Sequence, residues 1–208
     1  DRSDDTSGAG QGLLIPPDNR TRRLDRGRSD YDIRHQLRAA VIYDLPFFQT
    51  GPLSRFLGGW TVNTILDWSS GYPFTVSSGR TTLWPGVTTR ALFNGDPTQV
   101  GKVVKGGNTV TFLTDTEKSQ FSVPGPGQHG AGRNIFTGPG FFQTDFGLHK
   151  AIPLTERVRL ELRGEFFNVF NTQNFNAPNV TSTAGAFGVI SSLRVPPRIV
   201  QVAAKIYF

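Results

Sequence analysis

His35, His129 and His149 are the only histidines in this 208-residue chain, and so its only side chains that ordinarily titrate near neutrality. None stands in H-E-x-x-H, and no G-x-S-x-G is present. Asp145 and His149 would share one face of a strand, but no nucleophile stands beside them. Gly125, Gly127 and Gly130 spell G-x-G-x-x-G, with Pro126 inside it. No strand precedes that run and no helix follows it, so it lacks the setting a dinucleotide site needs. Without cysteine there is no disulfide and no thiolate metal site. The residues predict neither an enzyme nor a cofactor or metal centre.

What remains is charge. Arg20, Arg22, Arg23, Arg26 and Arg28 cluster, diluted by Asp18, Asp25 and Asp30, in a chain of net charge +6 and pI near 10.1. Such a cluster suits the phosphates of lipopolysaccharide, or a solvated loop; a nucleic-acid partner would rest on charge alone and is not expected. A second set is ordered: Arg157, Arg159, Glu161, Arg163 and Glu165 occupy alternate positions. Val158, Leu160, Leu162, Gly164 and Phe166 fall between them. A period of two, rather than three and four, predicts a strand with one apolar face and one charged ladder.

Four other stretches repeat that alternation. Strands are predicted at 33–47, 59–76, 141–154, 157–171 and 198–208. Residues 1–32 read as a loop or entering segment, and 33–208 as a β region with long loops at 77–140 and 172–197. Short apolar pieces at Val103–Val104 and Val110–Leu113 predict a local hairpin in the first loop. The 24 Gly and 14 Pro suit turns and argue against a helix bundle. No apolar run reaches the length of a transmembrane helix, but barrel strands are short and only half apolar. Trp60, Trp68 and Tyr72 stand near the ends of an apolar face, as girdle aromatics do, about 20 Å apart along a tilted strand. The 153–156 connection is very short and the two loops are long. The fold class expected is all-β: an antiparallel transmembrane β-barrel segment of about five strands, with short periplasmic turns and long extracellular loops. The charged ladder would face the lumen, in contact with solute or as mutually paired wall residues.

The run RNIFTGPGFFQTDFGLHKAIPLTERVRLELRGEFFNVFNTQNFNAPN (residues 133–179) closely resembles the last hairpin of TonB-dependent outer-membrane receptors, nearest to the Oar-like branch with a carboxypeptidase-regulatory-like domain common in Acidobacteria. SDYDIRHQLRAAVIYDLPF (residues 29–47) is similar to another strand of those barrels. The ending VAAKIYF looks like their C-terminal assembly signal, which places Val202, Ala204, Ile206 and Phe208 in that role. The resemblance implies energy-coupled uptake across a Gram-negative outer membrane. The implied partners are outer-membrane lipid and lipopolysaccharide, the TonB complex, the barrel-assembly machinery, and the plug and remaining strands of a 22-strand barrel. Substrates of the family span siderophores, cobalamin, glycans and peptides. The chain contains no Met and no signal peptide at Asp1, so it reads as a processed product or a piece of something longer. The alternative expectation is a processed fragment, at the cell surface or outside it, that self-associates through open strand edges into a multimer or fibre.

Overall fold

The computed structural model describes residues 25–48, 50–51 and 54–208. In chain order the elements are β1 (Gln36–Asp44), α1 (Ser54–Leu57), β2 (Trp60–Ser69), β3 (Pro73–Phe74), β4 (Leu92–Phe93), β5 (Val104–Gly106), β6 (Thr109–Thr111) and α2 (Asp115–Lys118). There follow β7 (Phe121–Ser122), β8 (Phe136–Thr137), β9 (Phe141–Pro153), β10 (Arg159–Phe167), β11 (Val189–Ile190) and β12 (Ile199–Tyr207). They fall into two units, each discontinuous in sequence.

The first unit (residues 35–69, 141–174 and 195–208) is one five-stranded sheet, in the order β1-β2-β9-β10-β12. Every neighbouring pair is antiparallel. Each strand alternates apolar and polar residues, and the registers bring the alternations into phase. Tyr43, Val62, Leu148, Gly164 and Val202 form one cross-strand row. Asp44, Thr61, His149, Arg163 and Ala203 form the next, on the opposite face. All five predicted strands are present. The connections β1–β2 and β9–β10 leave one end of this sheet; β2–β9 and β10–β12, the long ones, leave the other.

The first strand is three residues shorter than expected at each end, the fourth begins at Arg159 rather than at 157, and two further ends have a visible cause. The second strand stops at Ser69 rather than Val76. Gly71 passes so close to the Gly138 carbonyl that a Cβ there would overlap it, and Pro73 has no N–H to extend a ladder. The fourth strand stops at Phe167, because Asn168 takes φ 53° and breaks the extended run. The buried Asn168 amide then shapes the exit: Nδ2 donates to the Thr172 carbonyl at 2.9 Å, and Oδ1 accepts from the Thr172 N–H at 2.9 Å. Asn174 works similarly on β9, its Oδ1 accepting from Phe142 N–H and its Nδ2 donating to Phe142 C=O. Its side-chain amide stands in for a strand neighbour.

The second unit consists of residues 70–140 and 175–194 with the described part of 1–34. The long connections, expected as loops, pack a core of their own: Phe74, Val76, Ala91, Val100, Phe112, Leu113, Phe136, Phe187 and Ile190. Phe136 lies at the centre of an aromatic cluster, 5.4 Å from Phe74, 5.0 Å from Phe93 and 5.4 Å from Phe121 between ring centroids. The expected hairpin is present as β5–β6, turning at Gly107 with φ 54°, and β11 joins it through β6. Pairs β3–β8 and β4–β7 complete the unit.

Asn134 joins three segments of this unit. Almost fully buried, it donates through Nδ2 to the Arg28 carbonyl and the Asp30 carboxylate. Its Oδ1 accepts from the Thr75 hydroxyl, which accepts in turn from the Asn134 N–H, both at 2.8 Å. Arg90 and Asp25 form a largely buried ion pair at 2.8 Å, and Arg28 bonds Asp32 and Thr137. Of the predicted basic cluster, Arg20, Arg22 and Arg23 lie outside the described residues, Arg26 is exposed, and Arg28 is tied down as stated.

Candidate functional site: two opposed faces of one sheet

The polar face is built from the odd-numbered residues of β10 and those opposite them. Arg163 Nε donates to Glu161, and Lys205 stands across from Glu161 on β12. Arg159 lies over the Tyr207 ring, 4.8 Å from its centroid. Glu165 Oε1 is 4.0 Å from His149 Nε2, and Asn63 Nδ2 approaches the same nitrogen at 3.5 Å. Gly147 makes room for this: a Cβ there would overlap the Asn63 side chain. Further along, Arg38 pairs with Asp67 at 3.1 Å and the Thr61 hydroxyl donates to Asp44 at 2.6 Å. The ladder is thus real from Arg159 to Glu165, and its charges are mutually matched. Arg157 precedes β10, in the exposed connection, where its N–H donates to Thr155 Oγ1. Asp145 shares the face with His149, but its carboxylate accepts from Gln143 Nε2 and the Asn168 N–H instead. Among the described residues no group of three or more His, Cys, Asp or Glu could hold a metal.

The apolar face carries Leu37, Val41, Val62, Leu66, Trp68, Phe142, Phe146, Leu148, Leu160, Leu162, Phe166, Val200, Val202 and Ile206. Much of it is open: Val202 is 81% exposed and Trp68 43%. So broad an apolar surface is out of scale for a water-facing sheet and is what a lipid-facing one requires. Trp60 and Trp68 stand at opposite ends of β2 on this face. Trp68 lies between Leu37 and Phe142, and Trp60 beside Lys150. Tyr72 lies beyond the end of β2, in the other unit. Arg194 covers its ring at 4.7 Å and donates to its hydroxyl at 3.1 Å. Val202, Ala204 and Ile206 share the apolar face of β12 and are exposed, and Phe208 is fully exposed past its end.

Lys150 is the residue that sequence reasoning passed over. It sits in the apolar register between Trp60 and Leu162, only 4% exposed. Its ammonium lies 4.8 Å from the Trp60 ring centroid and donates to the Gly58 carbonyl beyond the strand end. The stem lies along apolar surface while the charge reaches the rim and finds both partners. Only the register could reveal this, because Gly58 and Trp60 are some ninety residues away in sequence.

Each edge strand, β1 and β12, has nine residues and, among the described residues, one neighbour. In hydrocarbon every unsatisfied backbone group costs several kcal/mol. Summed along such an edge, that exceeds the roughly 5–15 kcal/mol that stabilises a whole domain. Two faces of opposite polarity, all-antiparallel pairing and edges that lipid forbids define a class: this sheet is part of the wall of a transmembrane β-barrel. Residues 1–201 match a family model described as outer membrane beta barrel domain, and the chain belongs to that family. It is therefore a protein of the Gram-negative outer membrane. No curated protein and no solved structure matches the chain.

Proposed function

We propose that the chain is the C-terminal part of a TonB-dependent receptor barrel that takes up a substrate by energy-coupled transport. The observation that carries this is the sorting of the connections: the moderate 45–59, the very short 154–158 and the end of β12 at one end of the sheet, both long ones at the other. In outer-membrane barrels the short turns are periplasmic and the long loops extracellular. The ladder Arg159–Glu165 then lines the lumen, the apolar face meets lipid, and Trp60 and Trp68 mark the two interfaces. The long connections, 77–140 and 172–197, help to gate or bind substrate from outside. Coupling to the TonB complex and recognition of the C-terminal strand by the assembly machinery belong to the same proposal. It includes no catalytic step.

The test is loss of uptake. Cells lacking this gene, or lacking TonB, should fail to take up the same compound from a panel of siderophores, cobalamin, glycans and peptides. Recovery of the protein solely from the soluble fraction of native cells would sink the proposal. A second reading, a self-assembling fragment, is favoured by one observation, the two edges that have no neighbour among the described residues.

A further inference from the structure

We infer that Arg90, Arg133 and Asn134 form an oxyanion-binding site, filled by the chain's own residues 25–32, which an external phosphate or carboxylate compound displaces. All of these residues belong to the second unit. The site stands whether or not the barrel transports anything.

The cations are mounted side by side on packed backbone. Ala131 N–H donates to the Ala91 carbonyl at 2.9 Å, and Gly130 has no Cβ to keep the Arg90 carbonyl away. Arg90 also bridges to Ser77. Arg90 and Arg133 therefore leave adjacent segments, and the Asn134 amide follows directly. A guanidinium is a rigid fork of donors matched to the oxygens of a carboxylate or a phosphate.

That matching is done by two aspartates of the preceding segment. Asp25 Oδ1 is 2.8 Å from Arg90, while Asp30 accepts from Asn134 Nδ2 and faces Arg133. The four charged side chains are each between 12% and 18% exposed. A cation so far removed from water is costly to leave without an anion. Residues 25–32 can depart only as another anion enters, so the two occupants exchange.

The resident anions fit poorly. Asp25 Oδ2 is buried with no hydrogen-bond partner. Asp30 Oδ2 stands 3.6 Å from Arg133 Nη2, too far for a hydrogen bond. A carboxylate fitted to a guanidinium makes two parallel bonds, and an oxyanion not tethered to a backbone can reach that geometry. Nor does the segment's backbone enter a ladder: Asp32 N–H bonds back to the Ser29 carbonyl within the segment itself. Gly27 passes so close over Arg133 that a Cβ there would overlap the Arg133 carbonyl. A segment held by side chains across a charged site is of the kind that opens locally. A ligand with two anionic groups would answer both arginines at once.

The experiment uses the full protein, purified in detergent from its native outer membrane, with trypsin as the reporter. Arg26 is exposed, and its bond to Gly27 lies in the segment that is displaced. Pyrophosphate, and separately succinate, should speed cleavage after Arg26 about tenfold at saturation, read by mass spectrometry. Sodium chloride of equal ionic strength should not. Lipopolysaccharide and its dephosphorylated form are run beside them. Acceleration by the soluble anions identifies a free ligand, and acceleration by intact lipopolysaccharide alone identifies a lipid headgroup. Asp25→Asn with Asp30→Asn removes the competing charges and should tighten pyrophosphate binding about tenfold by calorimetry. Arg90→Lys with Arg133→Lys keeps the charge but loses the fork, and should weaken it. Unchanged or slower cleavage with every anion, or acceleration matched by sodium chloride, would overturn the inference and make residues 25–32 a structural tie. The receptor reading would survive that result, since it fails on location or uptake.

Discussion

At the scale of single residues, the strongest determinants are polar groups buried with all their partners. Asn134 holds Arg28, Asp30 and Thr75 together and sits at φ 53°, where a β-carbon is normally unwelcome. Asn134→Ala removes those bonds and leaves buried partners unsatisfied, a loss of about 2–4 kcal/mol. Faster proteolysis of the long connections on intact cells would register it, with strand content unchanged. Lys150→Met keeps most of the apolar stem but leaves the Gly58 carbonyl without its donor and Trp60 without its cation. It should lower stability by about 1–3 kcal/mol, read as a shift in the urea midpoint in lipid vesicles. Glu117 offers a pH test. Burial pushes its carboxyl up, but the N–H groups of Gly101 and Thr114 and the Thr114 hydroxyl outweigh that and hold it below the usual glutamate range. Its stabilisation is therefore complete above the unfolded value, near 4.3, and lost as pH falls through the lower folded one. Protection of the Gly101 amide, taken relative to its intrinsic exchange rate at each pH, should fall across that acid window, and Glu117→Ala should remove it at every pH.

At the scale of elements, a strand here is a two-sided object, and neighbouring positions should respond oppositely. Val202→Arg places a charge on the apolar face in mid-strand, at a cost of about 2–4 kcal/mol in the bilayer. Gln201→Arg, one residue earlier on the polar face opposite Glu165, should be close to neutral. Folding midpoints in vesicles for the two variants should differ by that amount. Equal effects would mean that the face assignment is wrong. The five strands were legible in the sequence because period-two alternation is a local property. Their ends were not. Val76 continues the apolar pattern of the second strand perfectly well, and only the approach of Gly71 to Gly138 shows that the chain has already left the sheet. Asn168 ended the fourth strand within an unbroken alternation because its amide found Thr172.

At the scale of the whole molecule, the sorting of connections predicts sidedness. The chain has no cysteine, so single cysteines report cleanly. Asp96→Cys and Asp115→Cys, exposed in the long connection, should react with a membrane-impermeant maleimide on intact cells. Glu156→Cys, in the β9–β10 connection, should react only after the outer membrane is permeabilised. The reverse pattern would invert the proposed topology. Composition and alternation by themselves determined an all-β wall with one lipid face and one water face, because burial in a sheet depends on parity of position and parity is written in the chain. They also marked the charged ladder from Arg159 to Glu165, but not that Arg157 would fall outside the strand. Only the tertiary structure decided what those residues touch: Glu165 against His149, Lys150 against Gly58 and Trp60, Tyr72 under Arg194. It alone showed that the long connections fold around Phe74, Phe112, Phe136 and Phe187, since those residues come from segments far apart with no periodicity to announce them. Such contacts depend on register and on distant chain segments meeting, and neither leaves a local trace in sequence.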